Sequence, residues 1–384
     1  MNRVTVSKQV LLWAVDRRGL TLEQLQKRFP AIDRWVTGLS GPTLRQLESL
    51  AKVTTTPLGY FFLKEPPVER LPIPHFRTMG EGARSTPSPD LLETVQTMQQ
   101  RQDWMRDFLI DQEQEKISYV RSATRGQHPA FIAERMRITL GFEDNWASSQ
   151  STWEGALRAL REAMDASGLI VVVNGIVGNN THRKLDPKEF RGFVLVDDYA
   201  PVVFVNGADA RAAQMFTLAH ELAHVFFGSS AAFDLRELQP ANNPMEQACN
   251  QVAAEFLIPE HLLRQAWPSV RSELEPFQSI ARQFKVSSLV AARRALDLGL
   301  ISKEAFFNFY DAYLSDERRV PAHQTGGGDF YATQNVRVGR RFASVVVRAA
   351  QEGKLLYSEA YRLTGLYGRT FDRYATYLGF EVRP

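Results

Sequence analysis

The chain of 384 residues carries 46 Lys and Arg against 43 Asp and Glu, with 44% hydrophobic residues and one cysteine, Cys249. That apolar content suits two or three cores, and a lone cysteine excludes an intrachain disulfide. No window approaches the roughly eighteen uninterrupted apolar residues of a membrane span, and the first residues lack a signal-peptide apolar stretch, so a cytoplasmic protein with no membrane partner is expected.

The charge is unevenly spread. Residues 1–70 hold 11 basic against 6 acidic residues, 318–384 hold 11 against 5, and 71–317 hold 24 against 32. Basic ends suit contact with nucleic acid, and an acidic middle suits a cation.

From the N-terminus, Lys8 to Arg18 places Val10, Leu11, Ala14 and Val15 on one helical stripe that Gly19 stops. Thr21 caps a segment with Leu22 and Leu25 inward, and Pro30 breaks the chain before the short run Ile32 to Val36. Pro42-Thr43-Leu44 opens a further helix through Lys52. Residues 1–65 are thus laid out as a helix-turn-helix module, whose exposed candidates for DNA contact are Arg34 and Thr37. Residues 66–88 form a linker; prolines at 57, 66, 67, 72 and 74 predict a stiff, mostly extended connector from Pro57 to Pro74.

Residues 89–166 are helical, beginning with a helix over about Asp90 to Gln114 whose Leu91, Leu92, Val95, Met98, Trp104, Met105, Phe108 and Leu109 are packing residues. Residues 168–206 switch to strand character, in Leu169 to Val173, Phe193 to Val196 and Val202 to Val205.

The segment 209–228 carries the chemistry. His220-Glu221-Leu222-Ala223-His224 is a His-Glu-x-x-His cassette in a largely apolar helix, and Thr217 can cap or begin that helix. Positions i and i+4 share a helical face, so His220 and His224 can turn both imidazoles to one ion. Glu221 stands beside that ion, placed to polarise a water rather than to ligate, as a zinc hydrolase requires. Three ionisable groups on a buried helix are costly unless something satisfies them.

A third ligand is expected from a second helix, 244–258, opened by Pro244 and closed before Pro259. Glu246, 22 residues after His224, is assigned that role. Asn250, four residues on, is placed to hydrogen-bond a liganding imidazole or Glu246. Glu255 competes as ligand but sits near the helix end among apolar neighbours, and Cys249 reads as a small buried residue.

Beyond it, 276–317 repeats a helix-turn-helix rhythm about Lys285-Val286-Ser287, with packing against the preceding domain as the leading expectation. The run His323 to Asp329 reads as a flexible hinge before a basic helical domain, 318–384, with amphipathic segments Arg337 to Gln351 and Ser358 to Leu378.

Phe216 to Gly228, followed by Glu246-x-x-Cys249-Asn250-x-x-Ala253-Ala254-Glu255-Phe256-Leu257-Ile258-Pro259, resembles the ImmA/IrrE family of metallo-endopeptidases. The likeness extends through Phe193 to Val196 and Pro201 to Asn206, and the flanks Pro57 to Pro67 and Phe76-Arg77-Thr78 resemble members with an N-terminal Xre-type helix-turn-helix. The resemblance implies an α+β, mostly helical chain with a zincin-like core, helices plus a small mixed sheet, in a metallopeptidase domain over 89–275. It implies a Zn2+ cofactor on a gluzincin-like set of His220, His224 and Glu246, with Glu221 as general base. It also implies that Arg191 to Val196 or Val202 to Val205 is a sheet edge able to pair with substrate. His182, His261 and the tyrosines are candidates to stabilise the oxyanion, and His75, His128 and His323 have no role.

The expected function is a regulatory endopeptidase cleaving one protein partner, a transcriptional repressor or a stress, defence or toxin-antitoxin regulator. The alternative is an antitoxin or transcription regulator that uses the zinc domain for recognition. DNA contact through the N-terminal module and an oligomer are compatible with either.

Overall fold

The computed structural model describes residues 3–69, 71, 87–233, 243–315 and 329–381, which fall into two compact units. No described helix is long and apolar enough to cross a membrane.

In the first unit, α1 (Lys8–Arg17), α2 (Leu22–Gln26), α3 (Ile32–Val36) and α4 (Leu44–Thr54) enclose a core that includes Leu11, Leu25, Ile32, Trp35 and Leu47. Thr21 with Gln24 and Thr43 with Gln46 form capping boxes, which satisfy the first free backbone N–H groups of α2 and α4. Arg34 and Thr37 are exposed, and the Thr37 hydroxyl donates to Asp33 O at 2.8 Å. The extended connector expected from Pro57 begins instead with a 3-10 turn, Leu58–Phe62, which buries Phe61 in this core. An available apolar pocket outweighs the stiffness of a single proline there. Residues 63–69 form neither helix nor strand, while residues 72–74 of that connector lie outside the described residues, as do 75–86 of the linker and 323–328 of the hinge.

Helix α5 (Pro89–Asp111) belongs to the first unit up to Gln96 and to the second from Thr97. In the second unit, α6 (Pro129–Leu140) and α7 (Trp153–Ala166) lead to β1 (Ile170–Asn174), a hairpin of β2 (Ile176–Val177) and β3 (Asn180–Lys184), then β4 (Gly192–Leu195) and β5 (Val202–Asn206). Next come α8 (Arg211–Phe227), β6 (Ala231–Phe233), α9 (Pro244–Leu257), α10 (Glu260–Val270), α11 (Pro276–Phe284), α12 (Ser288–Asp297) and α13 (Lys303–Ser315).

The main sheet is mixed, in the order β1-β5-β4-β6, with β1 parallel to β5 and the other pairs antiparallel. Strands β1, β4 and β5 are buried throughout, which explains their continuous rather than alternating apolar sequences. The order also corrects an expectation: β4 lies between β5 and β6, and β5 between β1 and β4, so neither is an edge open to substrate. The three residues of β6 occupy the position that the sequence pattern left vacant.

Lys285, in the left-handed conformation at φ 54°, and Ser287, which caps α12, turn α11 into α12. Ile280, Ala281, Phe284, Val286, Val290 and Ala295 join the same core as α8 and α9, so this element packs into the domain as expected.

The chain ends with α14 (Phe330–Gln334), a π-helical turn (Asn335–Gly339), α15 (Arg340–Gln351), α16 (Tyr357–Thr364) and α17 (Arg369–Tyr377). The single amphipathic segment expected from Ser358 is two helices, because Gly365 takes a left-handed conformation at φ 71° and ends the first. The π-helical turn packs on β1, where a Cβ on Gly339 would stand 3.2 Å from Val171 O. Arg101 on α5 is buried and donates to Leu363 O at 3.0 Å and to Arg337 O and Val338 O at 3.3 Å. Burial pulls its guanidinium down to about 10.

Candidate metal centre

Helix α8 starts at Arg211, where the Gln214 amide donates to Asp209 O at 2.7 Å, and ends on Gly228 at φ 74°. Thr217 neither caps nor begins it. It lies buried in the second turn, its hydroxyl on Ala213 O at 3.1 Å, because the six residues before it also take helical form. Sheet strands β4 and β5 and helices α7 and α9 all pack on α8, which leaves His220, Glu221 and His224 with no exposed surface. Helix α9 opens on Asn243, which accepts from Met245 N at 2.8 Å, with Pro244 in its first turn. That start puts Glu246 in the first turn, facing α8.

The three expected ligands meet. His220 Nε2 lies 3.1 Å from Glu246 Oε2, His224 Nε2 lies 3.1 Å from Glu246 Oε1, and the two Nε2 atoms are 3.0 Å apart. One ligand atom from each residue lies within 4.8 Å of the other two, all buried, the only such His, Cys, Asp or Glu group among the described residues. Two imidazoles and a carboxylate converging on one point fit a divalent cation of the zinc type. Two Nε2 atoms in contact with one carboxylate, away from water, are otherwise hard to reconcile with the cost of burying polar groups.

The electrostatics match that donor set. Burial drives His220 down to about 4, and His224 adds to the fall while Glu246 and Asn250 oppose it, so the imidazole is neutral and its lone pair is free for a ligand role. Burial pushes Glu246 upward, but hydrogen bonds with His220 and His224 prevail and hold it well below the usual carboxylate range. Asn250, the position read from the sequence as a support, lies beside His220, with its Oδ1 buried and without a hydrogen-bond partner among the described residues.

Glu221 is different. Both of its oxygens are buried without a hydrogen-bond partner among the described residues, and burial, followed by the Glu246 charge, raises it well above its ordinary value. Its near neighbour is backbone: a Cβ on Gly192 of β4 would stand 3.1 Å from Glu221 Oε1, 2.6 Å from Thr217 Cγ2 and 2.8 Å from Phe204 O. No sequence motif marked Gly192, and only sheet register brings it to Glu221.

The competing ligand candidate is otherwise engaged. Glu255 forms a buried ion pair with Arg294, which also donates to Ile258 O at 3.1 Å. Cys249 is a buried core residue. His182 is exposed on β3, and the exposed His261 lies 3.3 Å from Asp144, so neither joins the cluster. His128 caps α6, accepting from Ala130 N at 3.3 Å, whereas His75 and His323 lie outside the described residues. A cavity of about 610 Å³ adjoins the cluster through Phe216 and Asn250 and is walled by the start of α6, by α9 and by α12.

None of the curated proteins matches the chain. Residues 338–377 match the family model of a domain of unknown function (DUF8813), a span that covers α15, α16 and α17. Residues 177–296, from β2 through α12 and including both helices of the cluster, match the family model described as the IrrE N-terminal-like domain of peptidase family M78, which supports the ImmA/IrrE family and a metallopeptidase type of site.

Proposed function

We propose that the protein is a zinc-dependent regulatory endopeptidase that hydrolyses a peptide bond in a specific protein partner, a transcriptional repressor or a stress or defence regulator. The observation that carries this reading is the convergence of His220 Nε2, His224 Nε2 and a Glu246 oxygen within 4.8 Å, beside a buried Glu221. His220, His224 and Glu246 hold the cation, and Asn250 fixes the His220 ring. The bound ion supplies Lewis acidity, which eases ionisation of water and polarises a carbonyl. Glu221 takes the proton of the attacking water on its carboxylate and delivers it to the leaving amine. Its lack of hydrogen bonds leaves both oxygens available for that transfer, and its raised proton affinity makes it a better base than a solvated carboxylate.

A second reading, partner recognition with little turnover, draws on one observation: His220, Glu221 and His224 have no exposed surface. Metal analysis of purified protein tests the site, with about one zinc per chain expected and His224→Ala lacking it. Turnover is tested by comparing wild type with Glu221→Gln: the variant should retain an uncleaved partner that wild type degrades. Equal partner levels with both forms would leave only recognition. Whether Arg34 and Thr37 contact DNA is a separate question, answered by binding of duplex DNA to wild type and to Arg34→Ala.

A further inference from the structure

We propose that the cavity between α6, α9 and α12 binds an extended, uncharged stretch of polypeptide, and that this cavity rather than the sheet delivers substrate to the cluster. The inference rests on the metallopeptidase reading for the bond that is cut, but not for the binding itself.

Three observations carry it. First, β4 and β5, the strands packed on α8, are both flanked by other strands, which leaves only the three-residue β6 as the sheet's edge on that side. Second, the cavity of about 610 Å³ is of ligand-cleft size, about 300–1,000 Å³. Its wall includes Asn250, which lies beside His220, and Phe216, whose ring centroid is 6.4 Å from that of His220, so one layer of side chains separates it from the cluster.

Third, the lining chemistry selects the ligand. Its charged groups are already paired: Arg294 with Glu255, Arg293 with Asp297 at 2.9 Å, and Glu260 with Arg264 at 2.7 Å. A small ion or a strongly charged ligand therefore meets no unspent countercharge. What α9 presents to the cavity is a row of carboxamides, Gln247, Asn250 and Gln251, at the i, i+3, i+4 spacing of one helical face. A carboxamide offers donor and acceptor together, which matches the alternating N–H and C=O groups of an extended backbone.

The probe is a random dodecapeptide library passed over immobilised Glu221→Gln protein, compared with Glu221→Gln/Gln251→Trp. Gln251 is exposed on the cavity wall, outside the three-residue cluster, so a tryptophan there fills the space without touching the ligands. Retention of peptides by the parent should fall roughly tenfold or more in the filled variant, about 1.4 kcal/mol of binding. Zinc content should be unchanged between the two, and Glu221→Gln/Gln251→Ala, which removes one carboxamide without filling the space, should lose less retention than the tryptophan variant. Equal retention by filled and parent proteins overturns the proposal, as does a zinc-loaded parent that retains no peptide. If the parent holds no zinc yet its retention is abolished by Gln251→Trp, the cavity proposal stands and the metallopeptidase reading falls.

Discussion

Gly192 and Glu221 meet across the sheet-helix interface so closely that one added methyl on Gly192 would stand 3.1 Å from Glu221 Oε1. The same methyl would reach 2.6 Å from Thr217 Cγ2 and 2.8 Å from Phe204 O. Gly192→Ala is therefore expected to destabilise the protein by roughly 1–3 kcal/mol, the range for overpacking a filled core. Urea unfolding of Gly192→Ala and Gly192→Ala/Thr217→Ser checks it: removing the nearest methyl should restore part of the loss. Stability equal to wild type in the single variant would show that β4 has room to shift.

Glu221 makes the metal-free protein pH-sensitive. Its folded-state proton affinity is raised by burial, so the folded state binds the proton more tightly than the unfolded state does. The Glu221 contribution to stability is then fully present below about pH 4, the unfolded carboxylate value, and is lost as pH rises toward the folded value. Glu221→Gln should flatten that decline and stabilise chelator-treated protein near neutrality by about 1–3 kcal/mol, the work of keeping the buried carboxyl protonated above its unfolded value. In a cleavage assay the same variant should lose about 10²–10⁴-fold in rate, as expected for a missing general base. Thermal unfolding across pH, with chelator present, gives the first result independently of any substrate.

Metal should couple to folding. A cation bound by His220, His224 and Glu246 stabilises the folded chain by about 4 kcal/mol when free metal is a thousandfold above its dissociation constant. Zinc should raise the melting temperature of wild type and leave His224→Ala unmoved. A shift of equal size in both would place the bound metal elsewhere.

The Arg294–Glu255 pair is buried at both ends, with side chains 9% and 8% exposed. Burial draws the Arg294 guanidinium down to about 10. Arg294→Met alone strands the Glu255 charge and should cost roughly 3–5 kcal/mol, whereas Arg294→Met with Glu255→Gln should cost clearly less. A double-mutant cycle by urea unfolding measures the difference. Additive losses would mean that the two side chains do not stabilise through one another.

The centre was legible in the sequence because its parts are local. His220, Glu221 and His224 share one helix, and Glu246 and Asn250 share the next, so helical periodicity alone sorts them onto facing sides. What escaped depends on contacts between distant segments. Gly192 reaches Glu221 only through the register of β4 on α8, and Glu255 finds Arg294 in a helix 39 residues on. The sheet order turned on β6, whose Ala231–Phe233 is too short to show a strand pattern, and its presence removed from the edge β4, one of the two strands that the sequence offered for it. Thr217 misled for a simpler reason. A threonine before a polar cassette looks like a cap, but the apolar residues upstream of it bury equally well as helix, and the true start lies at Arg211.

The π-helical turn on β1 makes the end of the chain part of the sheet's insulation. β1 stands last in its sheet and runs Ile170-Val171-Val172-Val173, a stretch that would template association if its backbone were bare. Asn335–Gly339 packs on that strand, and Arg101 grips the same turn from α5. The two segments that match separate families lie in the same compact unit. A protein cut back before residue 335 should keep every ligand of the centre and yet self-associate, which light scattering would show.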